Sequence, residues 1–231
     1  KRDLEYLQKF KTTKMEWVLA ALKFLVLARN KDYKRYFRNK SRTGISVTKH
    51  SIIFAFKKIY RKVIINKKLL HEFKERGKFI YFPLQLEPER TVQIPAPYYT
   101  NQLEVIRSIA KSLPVECKLC VKEHPAQKLS AWRPTSFYNE VLKMPNVEIY
   151  HPAVSSNTLI ENCSLVITIT GSSGLEAIIN EKPCIILANT TYSKISTAVN
   201  QLENIEELPT TIKKMLKIKP KLEEVKKYFS I

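Results

Sequence analysis

The sequence predicts an α/β fold in which a Rossmann-like parallel sheet carries helices on both faces and is preceded by basic α-helices. Two observations predict the sheet. From about residue 78 onward, short and mostly apolar runs alternate with helical segments. Such runs are typical of parallel strands that are buried on both faces. A third observation, an uneven distribution of charge, sets the amino-terminal third apart.

Charge divides the chain into two regions. Residues 1–78 carry 23 Lys and Arg against 6 Asp and Glu, a net charge of +17, whereas residues 79–231 carry a net charge of +2. Such an excess favours contact with phosphates, in nucleic acid or at an anionic membrane surface, but basic helices that are simply solvated would give the same pattern. We assign residues 1–77 to a basic helical region and residues 78–231 to the Rossmann-like domain.

The basic region has the periodicity of helices. Its most apolar run, residues 17–28, contains Lys23 and is too short to cross a bilayer. Further along, apolar side chains recur at steps of three and four, as on one face of a helix: Ile52, Ile53, Phe56, Ile59, Tyr60, Val63 and Ile64. Gly77 then predicts that a helix ends near Arg76.

After residue 77, strands and helices alternate. We predict strands at residues 78–83, 115–121, 147–150, 165–170 and 184–188. We predict helices at residues 101–113, 136–143, 156–162, 175–180, 205–216 and 222–229. Asn101 and either Ser155 or Ser156 are placed to cap a helix, because their side-chain oxygens accept from the free N–H groups of its first turn.

The cysteines give no sign of a metal centre. Cys117 and Cys120 have C-x-x-C spacing, but they lie in a predicted strand, where positions three apart point to opposite faces. The sequence also has no Asp-x-Asp motif. We therefore expect reduced thiols, as in a cytoplasmic protein, and neither a metal nor another cofactor.

Three polar segments follow predicted strands and should meet at the carboxyl edge of the sheet, where ligands of open α/β sheets bind. The first contains Glu87 and Glu89. The second is the Lys-Glu-His-Pro sequence of residues 122–125, and the third is the Gly-Ser-Ser-Gly sequence of residues 171–174. This convergence predicts a site for an anionic ligand without identifying the ligand.

The Gly-Ser-Ser-Gly turn has two interpretations. In the first, glycine lets the backbone approach a phosphate at the start of the next helix, Ser172 and Ser173 add hydroxyl donors, and Glu176 accepts from ribose hydroxyls. In the second, Gly171 and Gly174 serve only a tight turn between strand and helix. The sequence is not a Walker A loop, because no Lys-Ser/Thr pair follows, and it is not G-x-G-x-x-G.

The other two segments also admit a functional and a structural interpretation. His124 can donate to a phosphate or transfer a proton, or it can bond a backbone carbonyl at the strand end. Lys122 can pair with its neighbour Glu123 or with a substrate. Glu87 and Glu89 can supply acid and base chemistry on a sugar or water, or form a solvated acidic loop. For the second His-Pro pair, at residues 151–152, we expect a structural role.

Several motifs occur together between residues 78 and 192. In order, they are YFPLQLEPERTV, NQLEVIRSIAKSLP, LCVKEHP, PNVEIYHP and LVITITGSSGLEAIINEKPCIIL. They resemble the capsule polysaccharide biosynthesis family of glycosyltransferases. The Lys-Glu-His-Pro and Gly-Ser-Ser-Gly segments resemble the His-Pro and Ser-Ser signatures of enzymes that use CMP-activated acidic sugars, and also the nucleotide-binding half of GT-B enzymes generally.

The resemblance implies a role for each segment. His124, Ser172 and Ser173 would hold the donor phosphate, and Glu176 would lie near the ribose or base. Glu89 matches the Pro-Glu position of the family. Many members read Pro-Leu-His-x-Gln-Pro-Glu where this chain has Pro-Leu-Gln-Leu-Glu-Pro-Glu, so a Gln replaces a His and a Glu replaces a Gln in the predicted catalytic loop.

We accordingly expect the donor-binding half of a two-domain GT-B glycosyltransferase, with the acceptor-binding half in a longer parent chain. It would transfer a sugar from a CMP- or UDP-activated donor to a surface or capsular polysaccharide or a related glycan. The expected catalytic residues are Glu87, Glu89 and His124. The expected nucleotide-binding residues are Lys122, His124, Gly171, Ser172, Ser173, Gly174 and Glu176.

Two other functions stay open: a UDP-sugar 2-epimerase-like isomerase, and a non-enzymatic module that binds nucleic acid or membrane through its basic helices. For the favoured function, the expected partners are a nucleotide-sugar donor, a glycan acceptor and an anionic membrane surface contacted through residues 1–78. Nucleic acid is not an expected partner in that case. The expected location is the cytoplasm, at the inner face of the cell membrane.

Overall fold

The computed structural model of the protein describes residues 44–74, 77–87, 96–127 and 132–220, together with the isolated positions 19, 23, 32 and 35. The chain divides into two compact units, residues 1–63 and residues 64–231. The second unit contains the sheet. Ile65 and Leu69, which the sequence assigned to the basic region, are buried in its core, while the predicted boundary between residues 77 and 78 stays a prediction.

One parallel sheet contains six strands of the described residues. They are β1 Phe79–Pro83, β2 Lys118–Lys122, β3 Val147–Tyr150, β4 Leu165–Thr168, β5 Cys184–Ile186 and β6 Val199–Gln201. Their order is β3-β2-β1-β4-β5-β6, so the chain moves outward from β1 to β3 and returns to β4 on the other side of β1. The winding reverses between β1 and β4, as in doubly wound folds. The predicted Rossmann-like fold class is confirmed.

Helices cover both faces of this sheet. They are α2 Gln102–Ser112, α3 Thr135–Leu142, α4 Ser156–Asn162, α5 Ser173–Ile179 and α6 Leu208–Met215, and α1 Gly44–Lys68 precedes them. Ile80 and Phe82 of β1 share a core with α2, α3 and α6, whereas Phe79 and Tyr81 share the other core with α4 and α5. The two pairs alternate because successive side chains of a strand point to opposite faces.

The predicted elements after residue 77 are present wherever the structure describes them. Strand β2 begins at Lys118 and not at residue 115, because Val115 lies in an exposed turn in which the Cys117 N–H donates to the Pro114 carbonyl. Strand β6 was not predicted, since it has three residues and Val199 is its only buried one. The predicted helix at residues 222–229 and most of the run at residues 17–28 lie outside the described residues.

Helix α1 confirms the predicted amphipathic helix, but its end was predicted wrongly. The helix ends at Lys68, well before residue 76. Leu70 already bridges to β3, where its N–H donates to the carbonyl of Ile149 at 3.0 Å. Gly77 does have a positive φ of 85°, which favours glycine, but the described residues that lead up to it, 69–74, are not helical.

The surface of α1 is basic and partly apolar. Seven of its 25 residues are Lys or Arg, and none is acidic. Large apolar side chains are nevertheless exposed on it, among them Phe56 at 70% and Ile59 at 62%. In the part of the chain that the structure describes, no helix combines the length and apolar character needed to cross a membrane.

Candidate functional site

The segments after β1 and β4 meet where the winding of the sheet reverses. Gln85 lies two residues after β1, and Thr168 is the last residue of β4. Gln85 Nε2 donates to Thr168 Oγ1 at 3.3 Å, and both residues are buried. Thr168 Oγ1 also accepts from the N–H of Gly171 at 3.2 Å. The reversal point is where ligands of doubly wound sheets bind, so these residues mark the centre of the candidate site.

Two glutamine side chains hold the segment after β1 as a neighbouring strand would. Gln102, the first residue of α2, accepts from the N–H of Gln85 at 2.8 Å and donates to its carbonyl at 3.1 Å. Gln127 accepts from the N–H of Glu87 at 3.0 Å and donates to its carbonyl at 3.2 Å. Gln102 also donates to the Glu87 carboxylate at 2.6 Å. Because buried backbone groups need partners, these side chains fix the course of the segment.

A buried arginine joins the segments after β1 and β2. Arg133 is 2% exposed, and its Nε donates to Oε2 of the fully buried Glu123 at 3.0 Å. Its Nη1 forms an ion pair with Glu87 Oε2 at 2.6 Å, without aligned hydrogen-bond geometry. Its Nη2 donates to the carbonyl of Gln85. Of the two carboxylates, that of Glu87 is the accessible one, with 41% of its side chain exposed.

Burial and neighbouring charge act on the pKa values of Arg133 and Tyr138. Burial alone would lower the pKa of Arg133, but the carboxylates of Glu123 and Glu87 more than offset that effect and raise it. Burial, reinforced by the charge of Glu123, raises the pKa of Tyr138. The tyrosine therefore stays protonated and donates to Glu123 Oε2 at 2.6 Å.

His124 lies in a tight His-Pro-Ala turn at the end of β2. Its Nδ1 accepts from the N–H of Ala126 at 3.2 Å, and its own N–H donates to Glu123 Oε1 at 2.8 Å. Since Nδ1 accepts a hydrogen bond, we assign the proton of the neutral imidazole to Nε2. In that tautomer, the half-buried ring carries its N–H at Nε2.

The second His-Pro-Ala turn, at the end of β3, repeats this geometry. His151 Nδ1 accepts from the N–H of Ala153 at 3.0 Å. Its ring stacks on that of His71 at 4.4 Å, and its Nε2 lies 3.1 Å from Asn66 Oδ1. These contacts tie His151 to other parts of its own chain, while its structural role stays a prediction.

The two glycines of the Gly-Ser-Ser-Gly turn make room for side chains of the same chain. Neither has a positive φ. A Cβ on Gly171 would lie 2.6 Å from Gln85 Nε2, and one on Gly174 would lie 2.5 Å from the hydroxyl of Tyr192 and 2.9 Å from Cys184 Sγ. The sequence offered a phosphate cradle or a tight turn, and close internal packing is a third reason for glycine here.

The serines and the glutamate of this turn lie at the start of α5. Ser172 is exposed, and its hydroxyl donates to Glu176 Oε1 at 2.9 Å. Ser173 begins the helix, and Tyr192 closes the turn from the other side by donating to the carbonyl of Gly171. The Ser172 hydroxyl and the Glu176 carboxylate, both predicted to contact the nucleotide, therefore contact each other.

Two predicted site residues remain, Lys122 and Glu89. Lys122 is 4% exposed, and its ammonium group donates to Ser156 Oγ, at the start of α4, over 2.6 Å. Glu89, predicted as a catalytic residue, lies outside the described residues. A cavity of about 240 Å³ lies between Leu70 and Tyr150 at the β3 edge, and no predicted site residue lines it.

Sequence reasoning missed the residues that organise the site. Four side chains contact the segments after β1 and β2 from positions 10 to 48 residues away: Arg133, Gln102, Gln127 and Tyr138. A local pattern cannot reveal such partners. The one available signal was Arg133 itself, a cation between Trp132 and a proline in a segment that becomes buried.

No group of three or more His, Cys, Asp or Glu side chains within the described ranges is arranged to hold a metal ion. All four cysteines are buried, and none forms a disulfide bond. Burial, followed by the charge of Glu148, raises the pKa of Cys120 to about 12, and burial raises that of Cys163 to about 12. Thiols of this kind are unreactive at neutral pH.

Comparison with known proteins gives one family and a set of similar structures. A family model described as "Capsule polysaccharide biosynthesis protein" matches residues 8–215. No curated protein matches. Among solved structures, Thermosulfurimonas dismutans KpsC, beta Kdo 2,7 transferase, is 20% identical over 75% of this chain and 52% of its own, with a TM-score of 0.46.

Two other similar structures have nucleotides in their descriptions. Methanocaldococcus jannaschii UDP-GlcNAc 2-epimerase in complex with UDP-GlcNAc and UDP is 18% identical over 71% of this chain and 44% of its own, with a TM-score of 0.47. Anabaena Alr3699/HepE in complex with UDP-glucose is 11% identical over 62% of this chain and 40% of its own, with a TM-score of 0.43. The chain spans about half the length of these proteins or less.

The family model covers all strands and helices from β1 to α6 and most of the basic region before them. That match extends over far more than half of the chain. This protein belongs to the capsule polysaccharide biosynthesis protein family.

Proposed function

We propose that this chain is the donor-binding part of a glycosyltransferase. The enzyme transfers a sugar from a CMP- or UDP-activated donor to a surface or capsular polysaccharide or a related glycan. The observation that carries the proposal is the meeting of polar segments at the reversal point of the sheet, where Gln85 bonds Thr168. Membership of a polysaccharide-synthesis family supports the same assignment.

In this proposal, the donor phosphate lies between the His124 turn and the Gly-Ser-Ser-Gly turn. The N–H at Nε2 of His124 donates to a phosphate oxygen, and the hydroxyls of Ser172 and Ser173 add donors from the other side. Hydrogen bonds to a charged group contribute roughly 1.5–3 kcal/mol each. Ser172 now donates to Glu176, so binding redirects its hydroxyl and frees the Glu176 carboxylate to accept from the ribose.

The leaving nucleotide carries negative charge that the enzyme must stabilise. His124 supplies a fixed donor for it, and the two serine hydroxyls add donors once the nucleotide is bound. The ammonium group of Lys122, which donates to Ser156, adds positive charge to the same edge of the sheet. Fixed donors aimed at developing charge are an effective means of catalysis because they need no reorganisation during the reaction. Glu87, with its exposed carboxylate, and Glu89 are the candidates for activating the acceptor hydroxyl.

The test replaces both turn hydroxyls at once. We expect Ser172→Ala with Ser173→Ala to raise the Kd for the preferred nucleotide, CMP or UDP, by about tenfold or more, equivalent to 1.4 kcal/mol per tenfold. The melting temperature without ligand should hardly change. Ser112→Ala, which removes a hydroxyl that bonds only the local carbonyl of Ser108, is the matched control and should bind nucleotide normally. Unchanged affinity in the double variant would leave the turn as a structural element only.

The type of reaction needs a separate assay. A transferase releases free nucleotide from CMP- or UDP-sugar in a manner that depends on a glycan acceptor. A 2-epimerase would convert a UDP-sugar into its C2 epimer without any acceptor. The second outcome would overturn the proposed transfer while keeping a nucleotide-sugar site at this edge of the sheet.

We also propose that α1 binds the protein to an anionic membrane surface. The helix combines seven basic residues and no acidic ones with exposed apolar side chains such as Phe56 and Ile59, which is the composition of an interfacial helix. Each basic side chain near such a surface contributes on the order of 1 kcal/mol. The chain should sediment with phosphatidylserine-containing vesicles at low salt and not with pure phosphatidylcholine vesicles. Failure to bind the anionic vesicles at low salt contradicts this proposal.

A further inference from the structure

The contacts of Arg133 link the two predicted catalytic segments to each other. The His124 N–H donates to Glu123 Oε1 at 2.8 Å, and Arg133 Nε donates to Glu123 Oε2 at 3.0 Å. On its other side, Arg133 Nη1 lies 2.6 Å from Glu87 Oε2. His124, Glu123, Arg133 and Glu87 therefore form one continuous chain of contacts across the candidate site.

Stability alone does not explain this arrangement. A buried ion pair loses the hydration of both charges, and replacing such a pair with apolar groups of similar volume is often neutral or stabilising. Arg133 is 2% exposed and Glu123 is fully buried, so both lose nearly all of their hydration. The backbone of the β1 segment is held by Gln102 and Gln127 as well, and what Arg133 adds is a further bond to the Gln85 carbonyl and a fixed place for the Glu87 carboxylate.

We propose that Arg133 is a positioning residue that holds the Glu87 carboxylate at a fixed place relative to His124. Glu123 is the buried intermediate through which the two are joined. His124 and the Glu87 carboxylate then face the substrate as one preorganised unit. The inference rests on the proposed function, since it takes this edge of the sheet to be the transfer site.

Three variants separate positioning from folding. Arg133→Met leaves the Glu123 charge buried without its cation, so we expect a lower melting temperature. Arg133→Met with Glu123→Gln removes both charges and keeps an amide oxygen for the His124 N–H, so the melting temperature should return to within about 3 °C of the wild type. Arg133→Lys keeps the charge but cannot reach Glu123, Glu87 and the Gln85 carbonyl together.

The control is a second arginine–glutamate pair with the same chemistry elsewhere. Arg107 Nη2 lies 2.9 Å from Glu140 Oε2, and both side chains are about one-third exposed, between α2 and α3. Arg107→Met with Glu140→Gln makes the same chemical change there. We expect this control to behave as the wild type in every assay except a small shift in melting temperature.

The readouts are hydrogen exchange, nucleotide binding and turnover, all on the full chain. In the Arg133→Met/Glu123→Gln variant, the amides of Gln85 and Glu87 should exchange faster while those of β1 are unchanged. The Kd for CMP or UDP should change by less than about threefold. Release of nucleotide from CMP- or UDP-sugar should fall by about 100-fold, the effect of a misplacement on the order of 1 Å.

Each outcome bears on one proposal. Wild-type exchange and wild-type turnover in the double variant would overturn the positioning role, because folding would then be the only task of the pair. If the double variant does not fold, Arg133→Lys is judged by the same exchange and turnover criteria. If the wild-type chain neither binds CMP or UDP nor releases them from sugars, the proposed function fails, while faster exchange at Gln85 and Glu87 still decides whether Arg133 positions the segment.

Discussion

Replacing Gly174 with alanine changes the stability of the protein, and whether it rises or falls depends on the packing of the turn. Gly174 is the second residue of α5. In an unobstructed helix, alanine in place of glycine stabilises by roughly 0.5–1 kcal/mol, because glycine loses more backbone freedom on folding. If the turn had free space beside Gly174, for example to admit a ligand, Gly174→Ala would therefore raise the stability.

The structure instead predicts that Gly174→Ala lowers the stability. The added Cβ would lie 2.5 Å from the Tyr192 hydroxyl, 2.8 Å from Tyr192 Cε2 and 2.9 Å from Cys184 Sγ. Tyr192 is 6% exposed and Cys184 is fully buried, so neither can withdraw easily. Overpacking of this kind costs typically about 1–3 kcal/mol. Because both neighbours are buried, we take a cost of about 2–3 kcal/mol. After the helix-propensity gain, we expect a net loss of about 1–2 kcal/mol, which lowers the melting temperature by about 2–8 °C in a chain of this size.

The assay is thermal and urea unfolding of the wild type, Gly174→Ala and the neighbouring variant Gly171→Ala. In Gly171→Ala, the Cβ would meet Gln85 Nε2 at 2.6 Å and Oγ1 of the fully buried Thr168 at 2.9 Å. Gln85 can move only by giving up its bond to Thr168, so we expect Gly171→Ala to lose about 1–3 kcal/mol as well. A Gly174→Ala protein as stable as the wild type, or more so, would refute the packing explanation.

Three further predictions concern other parts of the second unit. His151→Ala should lower stability by about 1–3 kcal/mol, because the Ala153 N–H and Asn66 lose their partner, while nucleotide affinity stays unchanged in calorimetry. Since burial raises the thiol pKa values of Cys120 and Cys163 from 9.0 to about 12, their stabilising effect is complete below pH 9 and is lost as the pH rises toward 12. By pH 10, urea unfolding should show a loss of stability that becomes smaller by about 1.4 kcal/mol for each of these two thiols that is replaced by Ala. Gly77→Ala should cost about 1–2 kcal/mol in the same assay although a Cβ there meets nothing within 4 Å, because its φ is +85°.

Five of the six strands could be predicted because each has a local apolar signal. The sequence at β4 is an apolar run that ends in Thr168, and its four residues are all buried. Helix caps are local as well: Asn101 accepts from the N–H of Glu104, as predicted, and Ser155 accepts from that of Thr158. Strand β6 escaped prediction because Val199 alone carries its apolar signal. The end of α1 escaped because Leu70 leaves the helix to pair with β3, a contact that lies far away in sequence.

The candidate site could be predicted only in outline. Doubly wound topology places the segments after β1, β2 and β4 on one edge, so their approach follows from the element order alone. Their connections do not follow, since Gln102 and Arg133 come from separate parts of the chain. The glycines show the same limit: the sequence marks Gly174 as unusual, but the reason, Tyr192, lies 18 residues later in a loop without a recognisable motif.

Calorimetric titration of CMP, UDP and GDP into the wild-type chain and into His124→Ala is the most direct test of a nucleotide-sugar site at the reversal point of the sheet. We expect CMP or UDP to bind the wild type at one site per chain, and His124→Ala to weaken that binding by about tenfold or more, because the donor at Nε2 is lost. The melting temperature of His124→Ala should fall, because the Ala126 N–H loses its acceptor, but by less than that of His151→Ala, which also loses the contact with Asn66. Absence of binding by all three nucleotides, or binding that His124→Ala leaves unchanged, would contradict the proposed site.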